Sequence, residues 1–166
     1  MAVGMDVCEK IILLAEDDPG HEELFRRTVA QSGIPCRMDV VRDGVEVIDY
    51  LFCTGEYEGR DSHSMPDLML LDLKMPKMDG LQVLQVLHRV RGDDRGRFPP
   101  VVVLTSSELD EDIADAYRYG AQSYICKPLG HSDFAKTVHD TLQYWLGLNR
   151  PIPVRRVGMH FVHEGL

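Results

Sequence analysis

Short apolar runs alternate with helix-periodic segments along most of the chain. The runs KIILLA at 10–15, LMLL at 68–71 and VVVL at 101–104 are apolar almost throughout, and each stops at a polar residue or a threonine. Apolar runs of this length are typical of strands buried on both faces of a sheet. Two further strands are predicted, around 37–41 and at SYIC, residues 123–126. The chain is therefore predicted to contain five strands.

A helix is predicted after each strand, because apolar residues recur there three or four positions apart. The first helix begins at Pro19 and ends near Gln31, and the later ones start around Gly44 and after the loops that follow the third, fourth and fifth strands. The predicted inner residues are Leu24, Phe25 and Val29, then Val45, Ile48, Leu51 and Phe52, then Leu81, Leu84, Leu87 and Val90, then Ile113, Ala116, Tyr117 and Gly120, and finally Phe134, Val138 and Leu142.

Five successive strand-then-helix units favour one fold class. Parallel strands need crossover connections, and right-handed crossovers place helices on both faces of the sheet. We therefore expect an α/β fold, a doubly wound five-stranded parallel sheet, although the sequence leaves the strand order open. Residues 54–66 read as a surface loop. We expect an N-terminal segment at 1–8, a single domain at 9–148 and an extended C-terminal tail at 149–166, where two prolines interrupt any period.

Composition and charge exclude several function classes. The formal net charge of -9 would repel a phosphate backbone and argues against direct nucleic-acid binding. Neither a membrane-spanning apolar run nor a secretory leader is visible, so we expect a cytoplasmic protein. The four cysteines show no CxxC pair and read as reduced thiols. The histidines lack the spacing of a helical metal site, so histidine chemistry is not indicated.

Polar residues with reactive side chains stand where the apolar runs stop. In open α/β sheets the ligand site lies outside the carboxyl ends of the strands. The residues at these ends are Glu16, Asp17, Asp72, Thr105 and Lys127. Close carboxylates repel by about 4 kcal/mol per pair at an effective dielectric near 20, which calls for a cation or for raised pKa values. All-oxygen ligands favour Mg²⁺, and a metal, a lysine and a hydroxyl around one carboxylate suit phosphoryl transfer.

Each of these residues also has an ordinary structural role. Acidic residues after a strand often cap the next helix, a threonine often ends a strand, and a lysine before proline is often merely exposed. Their joint placement at the ends of four different strands favours the functional interpretation. We assign Asp18 separately, as the cap of the first helix.

Four segments, ILLAEDDPG, LMLLDLKMPKMDG, VVVLTSS and SYICKP, resemble the signature segments of the receiver domains of two-component response regulators. The resemblance covers residues 9 to 147 approximately. It implies that Asp72 is the phosphorylated aspartate, that Asp17, Asp72 and the backbone carbonyl of Lys74 bind Mg²⁺, and that Glu16 helps through water. It further implies that Lys127 pairs with the phosphoryl group and that Thr105 and Tyr124 act as the switch residues.

The same resemblance implies the partners. A receiver takes its phosphoryl group from a sensor histidine kinase, and this chain is most similar to the single-domain regulators that partner bacterial and cyanobacterial phytochromes. We expect signalling through protein contacts, as a homodimer whose tails cross, because Tyr144, Trp145 and Leu146 form an apolar group ahead of the tail.

The family often has a cis peptide bond where Lys127 precedes Pro128, and the sequence leaves its state open.

Three alternatives are weighed against this interpretation. A haloacid-dehalogenase-type phosphatase needs a second acid two residues after its aspartate, where this chain has Lys74. A flavodoxin-like mononucleotide binder needs a phosphate loop rich in Ser, Thr and Gly, whereas EDDPG is acidic. A degenerate receiver that binds without phosphorylation usually lacks a signature residue, and none is missing here. We expect a phosphoacceptor that catalyses only its own phosphorylation and dephosphorylation.

Overall fold

A computed structural model describes residues 9–94 and 98–152. The described chain forms one parallel sheet with helices between the strands, as predicted. The strands are β1 Lys10–Ala15, β2 Cys36–Val41, β3 Leu68–Leu71, β4 Val101–Thr105 and β5 Ser123–Cys126. The helices are α1 Pro19–Gln31, α2 Gly44–Phe52, α3 Gly80–Arg91, α4 Asp110–Arg118 and α5 His131–Leu142. A short 3₁₀ turn, Gly55–Tyr57, lies inside the predicted loop after α2.

The strand order, β2-β1-β3-β4-β5, is the feature that the sequence left open. The chain adds β2 on one side of β1 and then returns to the other side, so β1 and β3 stand at the point where the winding reverses. A crevice forms at the carboxyl ends of two such strands. Ala15 pairs with Leu71 and Leu71 with Val103, so β1 and β3 end at the same level and β4 continues for two residues beyond it, to Thr105. Residues that follow these strands therefore meet at one edge of the sheet.

The two faces of the sheet are covered by different helices. Alternate strand residues such as Ile12 and Leu70 pack with Phe25 of α1 and Phe134 of α5. The other residues of the strands, including Leu71, pack with side chains of α2, α3 and α4. Because strand side chains alternate between faces, a strand covered on both sides has to be apolar at every position. This explains the uninterrupted runs in β3 and β4, all of whose residues are buried.

Three predicted inner residues lie on the surface instead. Val45 is 41%, Val90 is 36% and Tyr117 is 49% exposed. In α2 the buried apolar side chains are Val47, Tyr50 and Leu51. The predicted pattern began at Val45, so it included Leu51 but missed Val47 and Tyr50. Helix α4 packs beside β5 at the edge of the sheet and buries only Ala116, so its covered stripe is narrower than predicted.

The last helix extends beyond Leu142 in wider π-helical turns, Gln143–Leu148. Trp145 and Leu146 are partly buried against the α1 and α5 side of the core, whereas Tyr144 is 50% exposed. Most of the predicted tail, residues 153–166, lies outside the described residues, as does the predicted N-terminal segment 1–8.

Within the described chain every peptide bond is trans, including the one before Pro128. No helix in that part of the chain is long and apolar enough to cross a membrane.

Candidate phosphoryl-transfer site

The end of β1 places two acidic side chains in different environments. Glu16 directly follows the strand and is 1% exposed, whereas Asp17 faces solvent. Asp18 caps α1, as predicted, because its carboxylate accepts a hydrogen bond of 2.9 Å from the backbone N–H of His21. The backbone N–H of Asp18 donates in turn to Glu16 Oε1 at 3.0 Å. The cap and the buried carboxylate thus share one turn of chain.

Asp72 occupies the centre of the site, at the end of β3. Its side chain is almost fully buried, and the backbone N–H of Lys74 donates to its Oδ1 at 3.1 Å. The loop beyond Asp72 returns closely on itself, since the N–H of Gly80 donates to the carbonyl of Leu73. A Cβ at Gly80 would collide with the backbone carbonyl of Asp72, so only glycine allows α3 to begin this close to the site.

Both oxygens of Asp72 also accept hydrogen bonds from the neighbouring strands. The hydroxyl of Thr105, at the end of β4, donates to Oδ1 at 2.9 Å, and Lys127 Nζ, just after β5, donates to Oδ2 at 2.9 Å. Lys127 also forms a short ion pair with Glu16. Thr105 and Lys127 are buried. Four of the five predicted strand-end residues, all except Asp17, are therefore joined in one hydrogen-bonded network.

The carboxylates form a donor set that fits a divalent cation. One oxygen each from Glu16, Asp17 and Asp72 lies within 4.8 Å of the others. These three carboxylates and the Lys127 ammonium leave two net negative charges in a space of about 390 Å³, which Asp18 and Lys74, of opposite charge, also line. Burial raises the pKa of Glu16 despite the hydrogen bond from Lys127. An all-oxygen acidic site of this kind suits Mg²⁺ or Mn²⁺ better than a soft metal.

Tyr124 is linked to the site through the loop after β4. Its hydroxyl donates to the backbone carbonyl of Ser107 at 2.9 Å, and the N–H of Ser107 lies 3.5 Å from the hydroxyl oxygen of Thr105. The Ser107 hydroxyl donates to Asp112 of α4 at 2.5 Å. Ser107 therefore connects Thr105, Tyr124 and the start of α4.

One side chain in the site was missed by sequence reasoning. His21 lines the same space, with Nδ1 at 3.1 Å from Lys127 Nζ. Searching for histidine pairs could not find it, because its partner is a lysine 106 residues away. The available signal was its position three residues after the predicted cap, Asp18, which places it in the first turn of α1 beside the strand ends.

Comparison with known proteins gives this geometry a family. The response regulator receiver domain family matches residues 12–139, which include every strand end described above. The chain belongs to the response regulator receiver domain family. Its receiver domain carries the predicted five-stranded fold of the family, and the family match, rather than the fold, argues against the phosphatase and mononucleotide-binding alternatives. Receivers act as phosphoacceptors with sensor histidine kinases and bind a divalent metal in an acidic pocket.

Two curated relatives illustrate the range of this family. The receiver domain is 42% identical over 140 residues to the probable methanogenesis regulatory protein FilR2 of Methanothrix harundinacea, covering 84% of this chain and 86% of the relative. It is 34% identical over 137 residues to response regulator Rcp1 of Synechocystis, covering 82% and 89%.

Solved structures of similar proteins bear on both the phosphoryl group and the metal. The phosphorylated cyanobacterial phytochrome response regulator RcpA matches with a TM-score of 0.77 at 34% identity, covering 87% of this chain and 99% of that one. The Mn²⁺-bound form of Rcp1 matches with a TM-score of 0.77 at 32% identity and the same coverage. The bacteriophytochrome response regulator RtBRR matches with a TM-score of 0.65 at 39% identity, covering 87% and 85%.

Proposed function

We propose that this receiver acts in the cytoplasm as the phosphoacceptor of a sensor histidine kinase, with the carboxylate of Asp72 as the acceptor. The observation that carries the proposal is the pair of donors on that carboxylate, the Thr105 hydroxyl and the Lys127 ammonium, each at 2.9 Å. Both donors now bind the carboxylate, and each is close enough to donate instead to an oxygen of a phosphoryl group attached to it. Catalysis of phosphoryl transfer consists largely of such positioning and charge neutralisation.

The proposed reaction is a displacement at phosphorus. A carboxylate oxygen of Asp72 attacks the phosphorus of a phosphohistidine, the P–N bond breaks, and its electron pair stays with the leaving imidazole, which takes up a proton. An acyl phosphate remains on Asp72. Lys127 then pairs with a phosphoryl oxygen, and the Thr105 hydroxyl donates to another. Turnover is limited to the chain's own phosphorylation and dephosphorylation.

The charge of the site explains why a cation is needed. Lys127 balances one of the three carboxylate charges, and the two that remain would repel an incoming phosphoryl group. Asp17 and Asp72, with Glu16 and the carbonyl of Lys74, would hold Mg²⁺, which supplies positive charge at the transferring oxygens when it is bound. The protein contributes the carboxylate oxygens that would hold the cation and, from two neighbouring strand ends, the two donors to Asp72.

Intact-mass measurement after incubation with acetyl phosphate tests the acceptor. We expect one added phosphoryl group on the parent, no addition on Asp72→Asn, and no addition when the metal is chelated. Asp133→Asn, at an exposed aspartate in the first turn of α5, serves as the matched control and should be modified like the parent. Equal modification of Asp72→Asn and the parent would show that the acceptor lies elsewhere.

The kinase is proposed to be a phytochrome. Support comes from the regulators named for phytochromes among the similar structures, RcpA and RtBRR. The greater identity to FilR2, a probable methanogenesis regulator, makes a direct comparison of kinases necessary. Phosphotransfer from a phosphorylated bacteriophytochrome kinase should outpace transfer from a histidine kinase without a photosensory domain. Equal or slower transfer from the phytochrome would assign the receiver to another kinase class.

The output is proposed to be a change in protein contacts, made by a homodimer. Tyr144, Leu148 and Ile152 support it, because these three large hydrophobic side chains near the end of the described chain are at least half exposed. Exposed apolar residues grouped in one segment commonly mark a protein interface.

A further inference from the structure

His21 makes a contact that the proposed function leaves unused. Its Nδ1 lies 3.1 Å from Lys127 Nζ. An ammonium group has three N–H donors and no acceptor, so Nδ1 accepts this hydrogen bond and the imidazole proton lies on Nε2. Glu16 and Asp72 accept the other two N–H bonds. Every donor of Lys127 is thus occupied by a protein group, in a side chain that is only 3% exposed.

The imidazole of His21 is held in place from two sides. Its backbone N–H donates to the capping carboxylate of Asp18, which fixes the residue in the first turn of α1. Its ring stacks on Phe134 of α5, with centroids 5.6 Å apart and planes 15° apart. Phe134 is itself buried and meets Phe25 edge to face. A ring fixed in this way offers Nδ1 as a preorganised acceptor.

The three acceptors around Lys127 differ in what a metal does to them. Glu16 and Asp72 belong to the carboxylate cluster, so a bound cation competes with the ammonium for their oxygens. His21 lies outside that cluster as it is defined by the three carboxylates. Its contact with Lys127 can therefore persist while the carboxylates turn to a cation or to a phosphoryl group.

We propose that His21 is a positioning residue for phosphoryl transfer, which holds the Lys127 ammonium beside Asp72 by accepting a hydrogen bond at Nδ1. This inference rests on the proposed role of Asp72 as the acceptor. It assigns the first turn of α1 a part in the reaction through Lys127, without contact between His21 and the phosphoryl group.

Paired substitutions separate the acceptor from the ring. His21→Phe keeps an aromatic ring to stack on Phe134 but removes the acceptor, and His21→Asn keeps an acceptor near the position of Nδ1 but removes the ring. With acetyl phosphate and saturating Mg²⁺, we expect His21→Phe to lower the maximal phosphorylation rate about tenfold, with little change in the half-saturating donor concentration. His21→Asn should restore most of this rate. His63→Phe, at a histidine whose side chain is 76% exposed, should react like the parent.

A second measurement needs no phosphorylation. Nitrogen NMR of the metal-free protein labelled in histidine should show His21 protonated at Nε2 with Nδ1 as an acceptor. Lys127→Met should shift the His21 Nδ1 signal and leave that of His63 unchanged. Thermal unfolding of each variant shows whether it is folded. If His21→Phe does not fold, the NMR spectrum of the parent still tests the contact between His21 and Lys127.

The outcomes distinguish the inference from the proposed function. If His21→Phe reacts at the parent rate, or if His21→Asn is as slow as His21→Phe, the acceptor role is overturned while Asp72 remains the acceptor. If Lys127→Met leaves the His21 signal unchanged, the contact itself is overturned. If the parent is modified elsewhere than Asp72, the proposed function fails, and with it the positioning role.

Discussion

At the scale of single residues, the chemistry of the site depends on polar groups that the fold has removed from water. Asp72, Thr105 and Lys127 are all buried, yet each of their reactive atoms has a partner. A buried polar group without a partner costs about 1 to 3 kcal/mol, so the network is stable only as a set. Replacing one member therefore alters the others as well as its own contact.

A buried tyrosine away from the site gives a prediction of pH dependence. Tyr50 of α2 donates its hydroxyl to Asp39 of β2 at 2.7 Å, and burial together with this carboxylate raises the pKa of Tyr50 to about 12. An unfolded tyrosine titrates near 10, so the unfolded chain loses this proton first as the pH rises. The stabilisation by Tyr50 is therefore complete below about pH 10 and is lost between about pH 10 and 12.

The comparison with Tyr50→Phe isolates this effect. The difference in unfolding free energy between parent and variant should fall by about 2 to 3 kcal/mol as the pH rises from about 9.5 to about 12. Urea unfolding monitored by circular dichroism at several pH values measures it, and taking the difference cancels the titration of the other groups. A difference that stays constant over this range would mean that the phenol is not held neutral by the fold.

At the same scale, the sequence predicted which residues meet at the strand ends better than it predicted their environments. The places where apolar runs stop located Glu16, Asp72, Thr105 and Lys127, because the carboxyl ends of parallel strands lie at one edge of the sheet and bring those residues together. The sequence pattern could not predict that Glu16 would be buried and Asp17 exposed, because this difference depends on the turn at Asp18. Contacts between distant segments, such as that of His21 with Lys127, are set by helix packing.

At the scale of elements, the loop after β4 connects the site to α4 and β5. Thr105 faces Asp72, Ser107 bonds to Asp112 of α4, and Tyr124 of β5 donates to the Ser107 carbonyl. A phosphoryl group that draws the Thr105 hydroxyl toward itself would pull this loop. Because both elements bond to the loop, their environments should change together.

Amide hydrogen exchange tests this coupling. A beryllofluoride mimic of the phosphoryl group should alter exchange in α4 and β5 of the parent and of Thr105→Ser, which keeps the hydroxyl. Thr105→Ala should still accept a phosphoryl group on Asp72, as intact mass would show, but its exchange in α4 and β5 should change much less. A response of Thr105→Ala equal to that of the parent would show that the threonine hydroxyl does not transmit the signal.

Among the elements, strands were predicted better than helix faces. Burial on both faces makes the inner positions of a strand apolar, so the runs of β1, β3 and β4 were found, with the partly exposed Lys10 at the start of β1 and the buried Thr105 at the end of β4. Helix faces depend on how much sheet each helix covers. Tyr117 was predicted to be inside but is exposed, because α4 lies at the β5 edge of the sheet, and a period of 3.6 carries no information about that position.

At the scale of the whole molecule, the reversal of winding between β1 and β3 determines where chemistry can occur. It opens the crevice at their carboxyl ends and leaves α1 and α5 on one face and α2, α3 and α4 on the other. His21 reaches the site from α1, and Ser107 connects the site to α4. The site thus touches both helical layers, so a change at Asp72 can alter the surface on either face.

Assembly is the remaining property of the whole molecule, and truncation tests it. Trp145 and Leu146 are partly buried against the core, and of the three exposed apolar side chains only Ile152 belongs to the predicted tail, whereas Tyr144 and Leu148 precede it. A two-fold arrangement would use such a segment twice, which allows a short stretch of chain to stabilise a dimer.

Light scattering at matched concentrations should give the mass of a dimer for the full chain and mainly that of a monomer for a chain ending at Leu148. A chain lacking residues 1–8 is the control and should remain dimeric. If the chain ending at Leu148 has the same association state as the full chain, residues 149–166 do not hold the dimer together.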